Sequence, residues 1–188
     1  MSAPALPDGP DKPDAVKPDP RKPDLGNNAF PGRFDLTIAA GEWPPRSHLL
    51  AMMDRCLAAA ASEVETVLPP DSEVSLVFTD DTAMRGYNRA FRGIDRPTNV
   101  LSFPAVNIDA TPTMLGDIVL AAETVSREAA LENMPLDDHI SHLVIHGFLH
   151  LLGLDHDRDD EADAMEDAER RALARLGISD PYVEIIGD

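Results

Sequence analysis

The pairing of the predicted sheet follows from one stretch, residues 99–121, which reads NVLSFPAVNIDATPTMLGDIVLA. Its first five residues, 99–103, are predicted to form a strand that Pro104 closes. Residues 116–121 are almost all apolar, which is typical of a strand at the centre of a sheet. The connection between the two strands is too short for a crossover helix, so a mixed sheet is expected rather than an all-parallel one.

Further strands and helices are interleaved on both sides of this stretch. Strands are predicted at residues 34–39 and 73–78, and helices at about 47–68, 82–91, 122–133, 136–152 and 160–176. Thr82 is the expected N-cap of the second helix, and Asp137 or Asp138 that of the fourth. The pattern predicts one domain in which a mixed sheet of about four strands is covered by about five helices.

The N-terminal segment has a different composition. Seven prolines and all three lysines of the chain lie within its first 23 residues. Such a stretch buries little apolar surface and favours extended conformers. Residues 1–32 are therefore predicted to be a disordered, proline-rich extension, and residues 33–188 the folded domain.

The whole composition limits the setting of the protein. The chain of 188 residues has one cysteine, Cys56, so it forms no internal disulfide and a reducing compartment is expected. It has neither a long apolar run nor a signal peptide, so we expect a cytoplasmic protein that does not enter a membrane.

The net charge of −18 argues against nucleic acid as a partner, but the charge is unevenly distributed. Residues 81–104 are net positive, with Arg85, Arg89, Arg92 and Arg96 against two aspartates. Arg85 and Arg89 are interpreted as solvated helix residues. Arg92 stands at the predicted helix end beside Gly93, where a guanidinium can bind a phosphate through two hydrogen bonds.

Five of the six histidines lie between His139 and His156. His146 and His150 are four residues apart, so on a helix both imidazoles project from one face, as two ligands of a tetrahedral metal require. Gly153 falls where a helix-ending glycine is expected, and the turn after it can bring His156 to the same point. Three imidazoles with a fourth position left to water are typical of a catalytic zinc site.

Two neighbours of these histidines are assigned supporting positions. His142 lies one helical turn before His146, and Asp155 directly precedes His156. His142 is predicted to have a structural role or to lie beside the metal ligands rather than to ligate, and Asp155 to orient a ligand histidine or to fix the turn. Position 147, where a zinc peptidase carries its glutamate base, is a glycine, which counts against proteolysis.

The block N-R-A-F-R-G-I-D-R-P-T-N-V-L-S-F-P at residues 88–104, then G-D-I at 116–118 and H-G-F-L-H-L-L-G-L-D-H at 146–156, resembles the YbeY family. These are bacterial single-strand-specific endoribonucleases of ribosomal RNA maturation. The resemblance covers roughly residues 34–180 and departs from the family at Leu154, where a tyrosine is frequent.

The resemblance implies an α+β fold with a metal site in a cleft. It implies one zinc per chain on His146, His150 and His156, and a catalytic or substrate-binding role for Arg92. The implied activity is cleavage of single-stranded RNA in 16S rRNA 3′-end maturation and 70S ribosome quality control. The implied partners are the small ribosomal subunit and its assembly factors, and DNA is not expected.

Two alternatives remain at this point, a zinc peptidase and a non-catalytic ribosome-assembly factor with a structural zinc. No general base is assigned. Aromatic residues make up 5% of the chain, so a stacking platform is not expected, and RNA binding should depend on a few phosphate contacts and on partner proteins.

Overall fold

The computed structural model describes residues 29–65, 67–105, 114–154 and 159–182. Residues 1–28 of the predicted extension lie outside this set, as do Asp155 and His156. In chain order the elements are β1 (Arg33–Ile38), α1 (Arg46–Ala61), β2 (Glu73–Thr79), α2 (Asp81–Arg92), β3 (Val100–Pro104), β4 (Met114–Ala121), α3 (Ala122–Leu131), α4 (Leu136–Leu151) and α5 (Asp159–Arg175).

The four strands form one mixed sheet in the order β1-β2-β4-β3. β1, β2 and β4 are parallel to one another, and β3 runs antiparallel to β4 with Ser102 opposite Ile118. The predicted mixed pairing is therefore confirmed, and so is the central position of the apolar strand β4. Among the described residues β3 is an edge strand, with a strand partner on one side only.

Helices cover both faces of the sheet unequally. The main core lies between one face and the helices α1, α4 and α5, with Phe78 and Phe148 among its largest buried side chains. The smaller core lies on the other face, where Met84 of α2 packs with Leu101 and Val119. The fold class is α+β in a single domain, as predicted, and among the described helices none is long and apolar enough to cross a bilayer.

Three local predictions need correction. The side chain of Asp80, not Thr82, caps α2 by accepting a hydrogen bond from the Ala83 amide at 2.8 Å. α4 begins after Pro135 with no side-chain cap, so neither Asp137 nor Asp138 fills that role. Phe30, inside the predicted extension, is buried with its ring 5.7 Å from that of Phe148, so packing begins before residue 33.

Helix α1 is also shorter than its apolar pattern predicted, because it ends at Ala61 rather than near residue 68. Just past its end, the carboxylate of Glu63 accepts hydrogen bonds from Arg171 and Arg175 of α5. The carboxylate itself is 6% exposed while the two guanidinium groups are about half exposed, and the two ion pairs connect α5 to the end of α1.

The contact between α4 and the sheet depends on a glycine. A Cβ at Gly147 would lie 2.9 Å from Ser102 Oγ of β3 and 3.0 Å from Ile118 Cγ2 of β4, closer than side chains pack. A larger residue at this position would therefore require the side chains of Ser102 and Ile118 to shift. This closeness explains why a residue of low helix propensity stands in the middle of α4.

Gly147→Ala should lower the free energy of unfolding by about 1–2 kcal/mol, because the cost of overpacking exceeds the gain in helix propensity. Gly86→Ala, in the middle of α2, is the matched control: its Cβ would meet nothing within 4 Å, so it should stabilise the protein by about 0.5–1 kcal/mol. Urea unfolding of both variants measures the difference. Equal effects of the two substitutions would contradict the close approach.

Candidate active site

A cleft of about 640 Å³ opens between the end of α4, the edge strand β3 and the end of α2. Arg92 lines it from the end of α2, and His146 and His150 line it from α4. Asn99 and Ser102 contribute from β3 and the residue before it. Side chains that are far apart in the sequence therefore line one polar cavity.

His146 and His150 are brought together by the helical geometry that their spacing predicted. Their ring centroids are 4.7 Å apart, with the rings nearly perpendicular at 83°. Gly153, in the left-handed region at φ 89°, turns the chain directly after the helix. The predicted third ligand, His156, and Asp155 lie beyond this turn, outside the described residues. Within the described ranges, no three His, Cys, Asp or Glu side chains converge as a metal site.

A buried carboxylate on α5 lies behind the cleft. Glu169 is 1% exposed, and its Oε1 lies 2.6 Å from Nδ1 of His146. Its Oε2 accepts from Nε2 of His142 at 3.3 Å and from the hydroxyl of Tyr182. Because a carboxylate only accepts, Nδ1 of His146 carries the proton, and Nε2 is the nitrogen with the lone pair that a metal binds.

The charge on Glu169 is maintained by these donors. Burial alone would raise the pKa of this carboxyl, but the hydrogen bonds from His142 and His146 outweigh burial and lower it to about 2. Burial and the bond to Glu169 in turn raise the pKa of Tyr182. Glu169 is therefore an ionised, weakly basic group, suited to orienting a histidine rather than to taking a proton from water.

Sequence reasoning did not identify Glu169. It belongs to a helix with many acidic residues, and its residue type does not separate it from neighbours such as the exposed Asp167. Its burial follows from the seating of α5, where Met165, Ala168 and Ala172 enter the core. A signal was nonetheless present, because Glu169 lies one helical turn after Met165 and three residues before Ala172.

The position of Asn99 in the wall of the cleft is fixed by a second network of polar side chains. Asn99 Nδ2 donates to Glu128 Oε2 at 2.9 Å, and the same oxygen lies 3.2 Å from Nε2 of the buried His139. Asn99 Oδ1 accepts from the Val100 amide at 2.7 Å. Both ends of the amide are engaged, so its side chain holds the start of β3 against α3 and α4.

The arginines of the net-positive segment have different environments. Arg85 forms two hydrogen bonds of 2.7 Å with the carboxylate of Asp95 on the surface, away from the cleft lining. Arg92 lies at the end of α2, next to the left-handed Gly93, and faces the cleft. The structure thus places Arg92 with His146 and His150, and it leaves Arg85 in a local ion pair.

Position 147 adds a restriction on the chemistry. The Cβ of a glutamate at position 147 would lie 2.9 Å from Ser102 Oγ and 3.0 Å from Ile118 Cγ2. A glutamate there would clash with the sheet, and the glycine provides no base. The missing base counts against a zinc peptidase of the usual H-E-x-x-H form.

Known proteins resemble this chain over most of its length. The model of the Endoribonuclease YbeY family matches residues 42–177. A protein named Endoribonuclease YbeY from Rhizobium meliloti (strain 1021) is 52% identical over 159 residues, 79% of this chain and 94% of that protein. Its namesake from Sinorhizobium medicae is 49% identical over 162 residues, 81% of this chain and 95% of that one.

One solved structure also aligns with the chain. It is a solution structure of a protein from Thermotoga maritima, 23% identical, which matches over 80% of this chain and 100% of that one with a TM-score of 0.48.

Fold and cleft together define an α+β domain whose edge strand, helix end and paired histidines enclose a polar cavity. The family match extends over most of this domain and includes both histidines and Arg92. The chain belongs to the endoribonuclease YbeY family.

Asn99→Asp should lower the free energy of unfolding by about 2 kcal/mol, because it replaces a donor to Glu128 by a second carboxylate. Asn133→Asp, at an exposed helix end, is the matched control and should change stability much less. Urea unfolding at neutral pH compares the two. A loss no larger at position 99 than at position 133 would disprove the assigned network.

Proposed function

We propose that this protein is a metal-dependent endoribonuclease that cleaves single-stranded RNA in the cleft between α4, β3 and α2. Family membership supports RNA as the substrate. The observation that carries the proposal is the placement of Arg92 in one cleft with His146 and His150, with the buried Glu169 hydrogen-bonded to His146.

The donor set fits a zinc ion. His146 and His150 project from one helix face into the cleft, and His146 is oriented by a carboxylate at its other nitrogen, as metal-bound histidines usually are. His156 would be the third ligand, with one ion per chain. When bound, zinc would lower the pKa of water and polarise a phosphodiester oxygen.

The chain's own residues supply binding and orientation. Arg92 would hold the scissile phosphate through its planar guanidinium and neutralise the charge that builds on its oxygens. Glu169 and His142 would keep His146 in the Nδ1-protonated form, and Asp155 would fix the turn that carries His156. Gly147 keeps α4 close to β3, which sets the width of the cleft.

The cellular assignment is proposed on the resemblance in the sequence alone. It places the enzyme in the cytoplasm, in 16S rRNA 3′-end maturation and 70S ribosome quality control. Ribosomal RNA, the small subunit and its assembly factors would be the partners, and DNA would not be a substrate. The acidic surface of the chain fits help from partners in binding RNA, because a net charge of −18 repels free polyanions.

The proposal is tested by measuring bound zinc together with cleavage of single-stranded RNA before and after chelation. We expect cleavage that chelation abolishes and added zinc restores, with no cleavage of single-stranded DNA or casein. Full RNA cleavage after complete removal of metal would overturn metal dependence. Cleavage of casein but not RNA would instead favour the peptidase alternative.

Each of His146→Ala, His150→Ala and His156→Ala should reduce zinc content well below one ion per chain, because each removes one of the three ligands. His48→Ala is the control, since His48 is paired with Asp137 outside the cleft lining. Elemental analysis of the purified variants gives the result. Full occupancy in any of the three variants would remove that residue from the ligand set.

Glu169→Gln should weaken zinc binding by about 10–100-fold, the usual cost of losing the partner that orients a ligand. Glu166→Gln, on the same helix but on the surface and paired with Arg170, should leave zinc affinity unchanged. Titration against a competing chelator measures both affinities. Identical affinities in the two variants would show that Glu169 does not orient a ligand.

Arg92→Glu should abolish RNA cleavage and leave zinc content and thermal stability nearly unchanged, because Arg92 is an exposed residue at a helix end. Arg92→Lys should restore activity only in part, since an ammonium keeps the charge but loses the paired hydrogen bonds. Arg85→Glu should have a much smaller effect. Cleavage time courses compare the three variants, and equal losses at positions 85 and 92 would indicate a diffuse basic surface instead.

A further inference from the structure

An exposed aromatic ring lies next to the cleft and takes no part in the site described above. Phe91 is 67% exposed, although it directly precedes Arg92. Its ring packs on that of Phe103 of β3, with centroids 4.7 Å apart and planes inclined by 56°. One side of the Phe91 ring therefore rests on a second aromatic ring, and most of the remainder is open to water.

The exposure of Phe91 has a geometric cause. Met84, Asn88 and Phe91 follow the helical repeat and lie on one side of α2, and the first two are buried on the sheet. β3 is the edge strand, so α2 reaches its last turn where the sheet ends. Phe91 belongs to the packing side of the helix, but it is largely exposed there and its ring packs on that of Phe103.

The edge of β3 separates this ring from the cleft. Alternate residues of β3 point to opposite sheet faces, so Ser102 faces the cleft and Phe103 faces α2. Arg92 extends from the end of α2 to the cleft side. A flexible chain that crosses this edge can therefore meet Arg92 and Phe91 in succession.

Charge favours a nucleic acid here over an apolar protein segment. Phe91 lies in the net-positive segment, where Arg89 lies near the carboxylate of Asp95 and Arg92 has no hydrogen bond or ion pair with another described side chain. Asp117 lies opposite Phe103 in the strand register on the same sheet face. An anionic group should thus lie toward Arg92, and an uncharged ring should lie over the aromatic pair.

We propose that Phe91, supported by Phe103, is a stacking site for one base of a single-stranded RNA whose neighbouring phosphate is bound by Arg92. This inference rests on the proposed function. It adds a base-binding position to it, and the position is sequence-tolerant because every base has a π-face. A duplex would not fit this site, since its bases are not free to stack on a side chain.

The test combines protein variants with oligonucleotides that lack one base. In the wild-type protein, removing the base at one position of a single-stranded oligoribonucleotide should lower kcat/KM about tenfold, as the loss of one stacked base predicts. Phe91→Ala should show a similar loss on the intact oligonucleotide and no further loss at that position. Phe91→Trp should retain activity, whereas Phe91→Leu, which keeps apolar bulk without a π-system, should not.

Leu131→Ala removes a similarly exposed apolar side chain at the end of α3 and should match the wild type. Wild-type kcat/KM and position dependence in Phe91→Ala would overturn the stacking site and leave the ring to a protein partner. Failure of the proposed function is distinguished by the wild type itself, which would then cleave none of the oligonucleotides. In that case fluorescence anisotropy of the same labelled RNAs tests the stacking site, and equal affinities for wild type and Phe91→Ala would overturn it.

Discussion

The close contact of α4 with strands β3 and β4 at Gly147 is the constraint on which the other features of this protein depend. A Cβ at this position would displace the side chains of Ser102 and Ile118, so glycine lets the helix lie this near the strands without strain. His146 directly precedes this contact and His150 follows it by less than one helical turn. The contact therefore fixes the position of both histidines relative to the edge strand. The cleft lies where α4, close to the sheet, ends beside the edge strand and the chain turns at Gly153.

The buried charge of Glu169 is the second feature on which the arrangement of the site depends. An unpaired carboxylate in this position would be costly, and three donors from His142, His146 and Tyr182 compensate for its removal from water. The same bonds select one tautomer of His146. Stability and orientation of the histidine therefore have a common origin, and the ion pairs of Glu63 with α5 help to hold the helix that carries Glu169.

In an acidic protein that acts on RNA, the positions of the few arginines near the cleft determine where a phosphate can bind. Arg85 is occupied by Asp95, and Arg92 is directed to the cleft by the end of α2 at Gly93. The proposed base site on Phe91 follows from the same helix end. Uncharged contact with a base would add affinity that a protein of net charge −18 cannot obtain from phosphates alone.

Features that depend on neighbouring residues or on helical and strand periodicity could be predicted from the sequence. The apolar run of β4 and the short connection before it predicted the mixed sheet, because strand pairing is limited by the length of chain available for a crossover. The spacing of His146 and His150 predicted their shared face, because the helical repeat determines it. The end of α2 at Gly93 likewise singled out Arg92 among four arginines.

Burial was not readable in the same way, since it depends on which elements pack together over long separations. Glu169 resembles its exposed acidic neighbours until α5 packs against α4, and Phe91 resembles a core residue until α2 reaches the edge of the sheet. The low aromatic content of the chain gave no reason to expect a stacking site. The exposed position of Phe91 next to Arg92 is what suggests one. The sequence at Gly147 showed only that a peptidase base is missing, and the tight contact there was decided by the tertiary structure, because it brings Ser102 and Ile118 from two different strands under one helix.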